Sequence, residues 1–196
     1  HIFLKLQTMT ELYTYSNTSI SPLIHFINLH FKHKLIGAEI GVGQGLSMFE
    51  VLEKCELVKM YYGIDSYLPF EDHITYGKEK IYYDQKSQDL SKTMLYHYLK
   101  HSKGKEKIKI IEKESRIAVE EFPNEYFDFI FLDAFPTYEN AVQDFTLWFP
   151  KLKVKGLFCG HDFNNKIIQE ALIDFLKLIK LNKKLSIAND TWAFIK

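Results

Sequence analysis

The sequence predicts an α/β fold, a three-layer α-β-α sandwich around a mostly parallel seven-stranded sheet with an antiparallel C-terminal strand. Short apolar runs of strand length alternate with segments of helical period from Leu35 to Leu181. Such alternation needs right-handed crossovers, which place helices on both faces of a parallel sheet. Phe127 to Leu132 is almost uninterruptedly apolar, the pattern of a central strand covered on both sides. The last two runs, Lys184 to Ala188 and Thr191 to Ile195, are separated only by Asn189-Asp190, a hairpin signal.

Pro22 opens the first helix. Leu23, Ile24, Phe26, Ile27, Leu29 and Phe31 recur at helical spacing after Ser21, an N-cap residue type. Leu35 to Ile40 reads as a buried strand running into glycines, and Leu46 to Cys55 as the helix after it. Val58 to Ile64 is the second strand, closed by Asp65. Residues 66–89 are rich in Tyr, His and charge without a clean period, which predicts a long loop. Ser91 to Leu99 reads as helix, Lys107 to Glu112 as strand, and Ile117 to Phe122 as a short helix stopped by Pro123. After the central strand, Tyr138, Ala141, Val142, Phe145, Trp148 and Phe149 mark a helix, Leu157 to Gly160 a strand, and Ile167 to Leu181 the last helix.

A chain of 196 residues has room for one such domain and is short for two. Residues 1–34 read as a helical extension to it, and residues 66–100 as an insertion that could form a lid or acceptor-binding segment. Apolar residues at 46% and charged residues at 26% place the chain among globular proteins. Basic and acidic residues balance at 25 each, so no global field draws the protein to nucleic acid or an anionic membrane. The lysines from Lys100 to Lys113 are interspersed with acids and read as a solvated connection. Cys55 and Cys159 form no disulfide or zinc pattern, which fits a reducing compartment. With no bilayer-length apolar run and no signal-peptide pattern, a cytoplasmic location is expected.

In a sheet of this kind ligands bind beyond the carboxyl ends of the strands, which singles out the residues after Ile40, Ile64, Glu112, Leu132 and Gly160. The first strand ends in Glu39-Ile40-Gly41-Val42-Gly43-Gln44-Gly45. Such a turn brings backbone close to a ligand and aims helix N-terminal amides at it, although tight packing of strand on helix explains it as well. Gly45 follows Gly43 by two residues, whereas the dinucleotide fingerprint has three, so the spacing leans away from NAD. Asp65, with Ser66 beside it, stands where an acid can accept both hydroxyls of a ribose. That would serve NAD equally.

Asp133 ends an apolar strand and must find polar partners at the functional edge of the sheet. With His161 and Asp162 after the fifth strand it could make an oxygen and nitrogen site for a divalent ion such as magnesium. His161 also reads as a metal-free general base, with Asp162 beside it, or as a satisfied strand-end histidine. Tyr67, Phe70, His73, Tyr76, Tyr82 and Tyr83 in the aromatic loop suit a lid or acceptor pocket, a minor core, or a homodimer contact.

The run Phe127-Asp128-Phe129-Ile130-Phe131-Leu132-Asp133, with Tyr138-Glu139 after it and Trp148 to Gly156 before the next strand, together with Glu39 to Gly45, resembles the methyltransferase domain 24 subfamily of class I methyltransferases. The resemblance spans Ala38 to about Phe163. It implies a Rossmann-like fold, S-adenosylmethionine as cofactor and a small-molecule or carbohydrate acceptor, oxygen first. It also implies cofactor contacts at Glu39, Gly41, Gly43, Gly45, Asp65, Ser66 and Asp133, with Glu114 and Ser115 near adenine. Ser115 reads equally as the N-cap of a helix starting at Arg116. Ala134 and Pro136 stand where the subfamily has Gly and His, and Lys155-Gly156 where it has Gly-Gly. An NAD-dependent oxidoreductase and a non-catalytic cofactor-binding module remain as alternatives.

Overall fold

In the computed structural model, residues 10–12, 20–70, 73–76, 79–134, 137–180 and 184–196 are described. The elements run β1 (Thr10–Leu12), α1 (Pro22–His30), β2 (Leu35–Ile40), α2 (Leu46–Lys54), β3 (Val58–Ile64), β4 (His73–Tyr76), β5 (Glu79–Tyr82), α3 (Gln85–His101), β6 (Ile108–Ile111), α4 (Ser115–Ala118), β7 (Phe127–Leu132), α5 (Tyr138–Trp148), β8 (Leu152–Gly160), α6 (Lys166–Leu178), β9 (Leu185–Ala188) and β10 (Thr191–Ile195).

The main sheet has the order β1-β9-β10-β8-β7-β2-β3-β6. Neighbours from β8 to β6 are parallel, and β10 is antiparallel to both β8 and β9. The seven expected strands are present, and the three-residue β1 extends the edge beyond β9. Strand order reverses between β2 and β7, the topological switch where a ligand cleft is expected.

All six residues of β7 are buried, and their alternation divides the core into its two halves. Ile130 and Leu132 pack toward Ala141, Phe145 and Trp148 of α5 and Leu172 and Phe175 of α6. Phe129 and Phe131 pack toward Phe26 and Ile27 of α1, Met48 and Val51 of α2, and Leu95 of α3. Each sheet face therefore carries its own apolar layer, which is why the strand sequence shows no polar alternation.

The structure differs from the sequence reading at three places, and at a fourth the expected N-cap residue is in place without a side-chain bond. The expected long loop holds the antiparallel hairpin β4–β5, in register at Ile74 and Ile81, and α3 begins within it at Gln85. Its sequence signal is Gly77-Lys78 between two β-prone runs, a two-residue hairpin pattern submerged among charged residues. β8 starts at Leu152, five residues early, because a register shift opposite Phe127 to Phe129 accommodates Lys153 to Gly156. Helix α4 starts at Ser115 with Glu114 in the N-cap position, not at Arg116. Ser21 occupies the N-cap of α1 without a side-chain cap; its backbone N–H donates instead to Glu50 Oε1.

Candidate active site

Sheet register alone gathers most of the site. Ile40 pairs with Ile64 and with Leu132, and Leu132 with Gly160. The residues that follow, Gly41, Asp65, Asp133 and His161, therefore emerge side by side. Backbone bonds continue the ladder past the strand ends, from Gly41 N–H to Ile64 O, Asp133 N–H to Ile40 O and His161 N–H to Leu132 O. These edges open into a cleft of about 630 Å³, within the usual range for small-ligand sites of about 300–1,000 Å³.

The three glycines of the turn do different work. Gly41 has φ +87°, and a β-carbon there would collide with the backbone of Asp133 and Ala134; its role is close approach of two strand ends. Gly43 has φ +50°, yet a β-carbon there would meet no atom within 4 Å. It faces open cleft. Gly45 does not line the cleft; a β-carbon there would strike Leu95 and Phe49, so this glycine lets α3 close over the turn.

Asp65 is tied to the same turn. Its Oδ2 accepts the Gly43 N–H at 2.9 Å and its Oδ1 accepts the Tyr67 N–H at 2.9 Å. Burial pushes its carboxyl up, opposed by these backbone donors. Tyr67, expected among the loop aromatics, is buried and donates its hydroxyl to Gly43 O. Ser66 lines the cleft and accepts from Leu68 N–H through Oγ.

Glu39 lies at the cleft floor, 1% exposed, accepting the Tyr61 hydroxyl at 3.0 Å. Burial, reinforced by the Asp133 charge, raises its carboxyl to about 8. Asp133 is raised to about 6 by burial, partly offset by His161. His161 Nδ1 lies 3.2 Å from Asp162 Oδ1 and 3.7 Å from Asp133 Oδ1. Its hydrogen bond to Asp162 and the charge of Asp133 lift it to about 9 against its partial burial. One ligand atom from each of Asp133, His161 and Asp162 falls within 4.8 Å of the others. The C-terminal hairpin holds this corner: Trp192 Nε1 donates to His161 O, and Phe163 N–H to Asp190 O. Asp162 adopts φ +58°, strain of the kind that clusters at functional sites.

Glu114 and Ser115 both line the cleft, but their side chains are engaged. Glu114 pairs with Arg116 at the surface. Ser115 Oγ donates to Asp144 Oδ1 and accepts Trp148 Nε1–H at 2.6 Å. Asp144 and Gln88 are cleft residues that the sequence reading passed over, each 6% exposed. A signal for Asp144 existed, since it sits on the stripe of Ala141, Phe145 and Trp148, where a polar residue demands a partner. Phe70 and Tyr83 line the cleft with ring centroids 6.2 Å apart, whereas the side chains of His73, Tyr76 and Tyr82 lie outside the described residues, as does Pro136.

The sequence matches the family described as methyltransferase domain, number 24, over residues 38–163. The chain belongs to this methyltransferase family. The matched segment runs from β2 through the loop after β8 and so contains every strand end of the cleft. No curated protein matches the sequence. Among solved structures, a candidate caffeoyl-CoA O-methyltransferase from Staphylococcus aureus superposes with a TM-score of 0.64 at 16% identity, covering 99% of this chain and 88% of the other. The O-methyltransferase NovP gives 0.61 at 14% identity, covering 88% and 76%. A candidate rRNA methylase from Clostridium thermocellum gives 0.64 at 13% identity, covering 94% and 97%. At these identities the likeness is one of fold, that of the Rossmann-like methyltransferases. Among the described residues no helix of this methyltransferase is long and apolar enough to cross a membrane.

Proposed function

We propose that the chain transfers a methyl group from S-adenosylmethionine to an oxygen of a small-molecule or sugar acceptor. The observation that carries this reading is the Gly43 turn. A left-handed glycine with empty space where a side chain would stand, hydrogen-bonded to an acid at the next strand end, is a cradle built for a ligand and not for packing.

The donor set fits the cofactor. Asp65 lines the cleft and, beyond its backbone donors Gly43, Tyr67 and Ser66, presents carboxylate oxygen to ribose hydroxyls. Glu39 lies beneath the turn, placed to face the amino-acid end, and Glu114 and Ser115 border the adenine end. S-adenosylmethionine supplies, when bound, a methyl group already electrophilic on its sulfonium. The protein then has to align the acceptor and dispose of its proton. Asp162 fixes the His161 ring through Nδ1, which leaves Nε2 to take that proton; the group is held protonated by its acids near neutrality, so base action grows toward alkaline pH. Phe70 and Tyr83 form the aromatic wall on which the acceptor rests.

Asp133, His161 and Asp162 also suit a divalent ion, since one imidazole and two carboxylates with ligand atoms within 4.8 Å form a usable facial set. An ion held there would lower the pKa of an acceptor hydroxyl. NAD is disfavoured by the Gly43-to-Gly45 spacing.

Titration calorimetry of the purified protein with S-adenosylmethionine, S-adenosylhomocysteine and NAD, each with and without magnesium, tests the reading. Selective binding of the two adenosyl sulfur compounds is expected. Binding of NAD alone, or of none of the three, would overturn it.

A further inference from the structure

Gln88 stands in the first turns of α3, is 6% exposed and lines the cleft. Its backbone N–H bonds to Asp84 O, but among the described residues its carboxamide makes no hydrogen bond. A buried amide without partners is rare because it forfeits the hydrogen bonds it made to water in the unfolded chain. The polar groups of the preceding turn are engaged: Asp84 caps the helix through Ser87 N–H, and Gln85 bonds to Tyr67 O and Asp89. Gln88 differs from the other polar residues of this helix in being buried.

Its surroundings say what would meet them. Leu95, seven residues on and so on the same helix face, abuts Gly45, which lays this face of α3 over the glycine turn. Gln85, one turn before Gln88, anchors α3 to Tyr67, whose N–H binds Asp65 Oδ1. Gln88 thus overlooks the Asp65 end of the cleft. Asp65 is acceptor-only when ionised, so it satisfies the protons of a vicinal diol and leaves the diol oxygens wanting donors. A carboxamide offers two donors and an acceptor.

We propose that Gln88 completes the sugar site, donating its amide hydrogens to ribose hydroxyl oxygens whose protons Asp65 accepts; this rests on the cofactor reading above. The apo protein holds an unsatisfied amide that binding satisfies. The contact adds affinity, and its absence lowers the stability of the empty protein.

The test is calorimetry with S-adenosylhomocysteine and with methylthioadenosine, which keeps the ribose and lacks the amino-acid end, on the unmodified protein and on Gln88→Met and Gln88→Ala, with ligand-free melting temperatures. Gln88→Met keeps volume and helix propensity. It is expected to weaken both ligands about tenfold, as for loss of a hydrogen bond to a ligand, while raising the ligand-free melting temperature. Gln88→Ala is expected to weaken both as much. Unchanged affinity in a folded variant overturns the proposal, as does a loss confined to S-adenosylhomocysteine, which would move the contact to the amino-acid end. A lower melting temperature of Gln88→Met with intact affinity makes the residue structural. Failure of the unmodified protein to bind either ligand rejects the cofactor reading itself and this proposal with it.

Discussion

The backbone N–H of Gly43 and the carboxylate of Asp65 are joined by a 2.9 Å hydrogen bond, so the turn after β2 and the acid after β3 form one unit. The bond couples the charge at the cleft edge to the shape of the turn: a change at Asp65 alters both that charge and the path of the glycine backbone.

Asp65→Asn keeps one carbonyl acceptor but must turn its NH₂ toward either the Gly43 or the Tyr67 N–H, two donors facing each other. Hydrogen bonds to a charged group contribute about 1.5–3 kcal/mol each. We expect affinity for S-adenosylhomocysteine to fall by about ten- to a hundredfold, with a lower melting temperature. Calorimetry and a thermal melt check this; full affinity would remove Asp65 from the binding site.

Gly43 and Gly41 should separate ligand space from packing. Asn tolerates a left-handed backbone, and its side chain at residue 43 would enter open cleft. Gly43→Asn is expected to melt within a few degrees of the unmodified protein while losing measurable cofactor binding. Gly41→Ala would drive a methyl group into the Asp133 backbone and is expected to yield little folded protein, as seen by circular dichroism. A folded Gly43→Asn with intact affinity would falsify the assignment of that space to a ligand.

The origin of each site residue explains what was legible in the sequence. Strand-end residues such as Gly41, Asp65, Asp133 and His161 follow from period and topology, because parallel register carries them to one edge whatever the helices do. Residues that reach the cleft from helices, such as Gln88 and Asp144, depend on crossing angles and helix rotation, which a single sequence does not specify. The hairpin β4–β5 escaped because its alternation is short and mixed with charge, and the bonds of the Ser115 hydroxyl to Asp144 and Trp148 because those residues lie about thirty positions away. Gly45 shows the converse case: the pattern marked it with Gly41 and Gly43, and the structure gives it to helix packing.

Glu39 predicts a pH dependence of stability. Its carboxyl is raised to about 8 in the folded protein from 4.5 by burial, so between these values the folded state retains a proton that the unfolded chain has released. Stability contributed by this group is whole at low pH and declines as pH rises through that window, then levels off. His161, raised to about 9, adds a decline of the same sign from its unfolded value upward. Glu39→Gln removes the first contribution only. Urea midpoints at pH values of about 6 and 8 should therefore fall less for Glu39→Gln than for the unmodified protein; equal falls would mean that Glu39 is ionised in the fold.

His161 lines the corner of the cleft beside the C-terminal hairpin, held by Asp162 through Nδ1 and by Trp192 through its carbonyl oxygen. Replacing its side chain leaves the carbonyl anchor and the strand register intact, so His161→Ala should fold and keep its affinity for S-adenosylhomocysteine within about threefold. Transfer is another matter. Loss of a positioned acid–base group costs about 10²- to 10⁴-fold in rate, and that loss is expected with any hydroxylated acceptor that the unmodified protein methylates. A parallel loss of affinity would place His161 among the residues that hold the cofactor, and an unchanged rate would leave it a strand-end histidine satisfied by two acids.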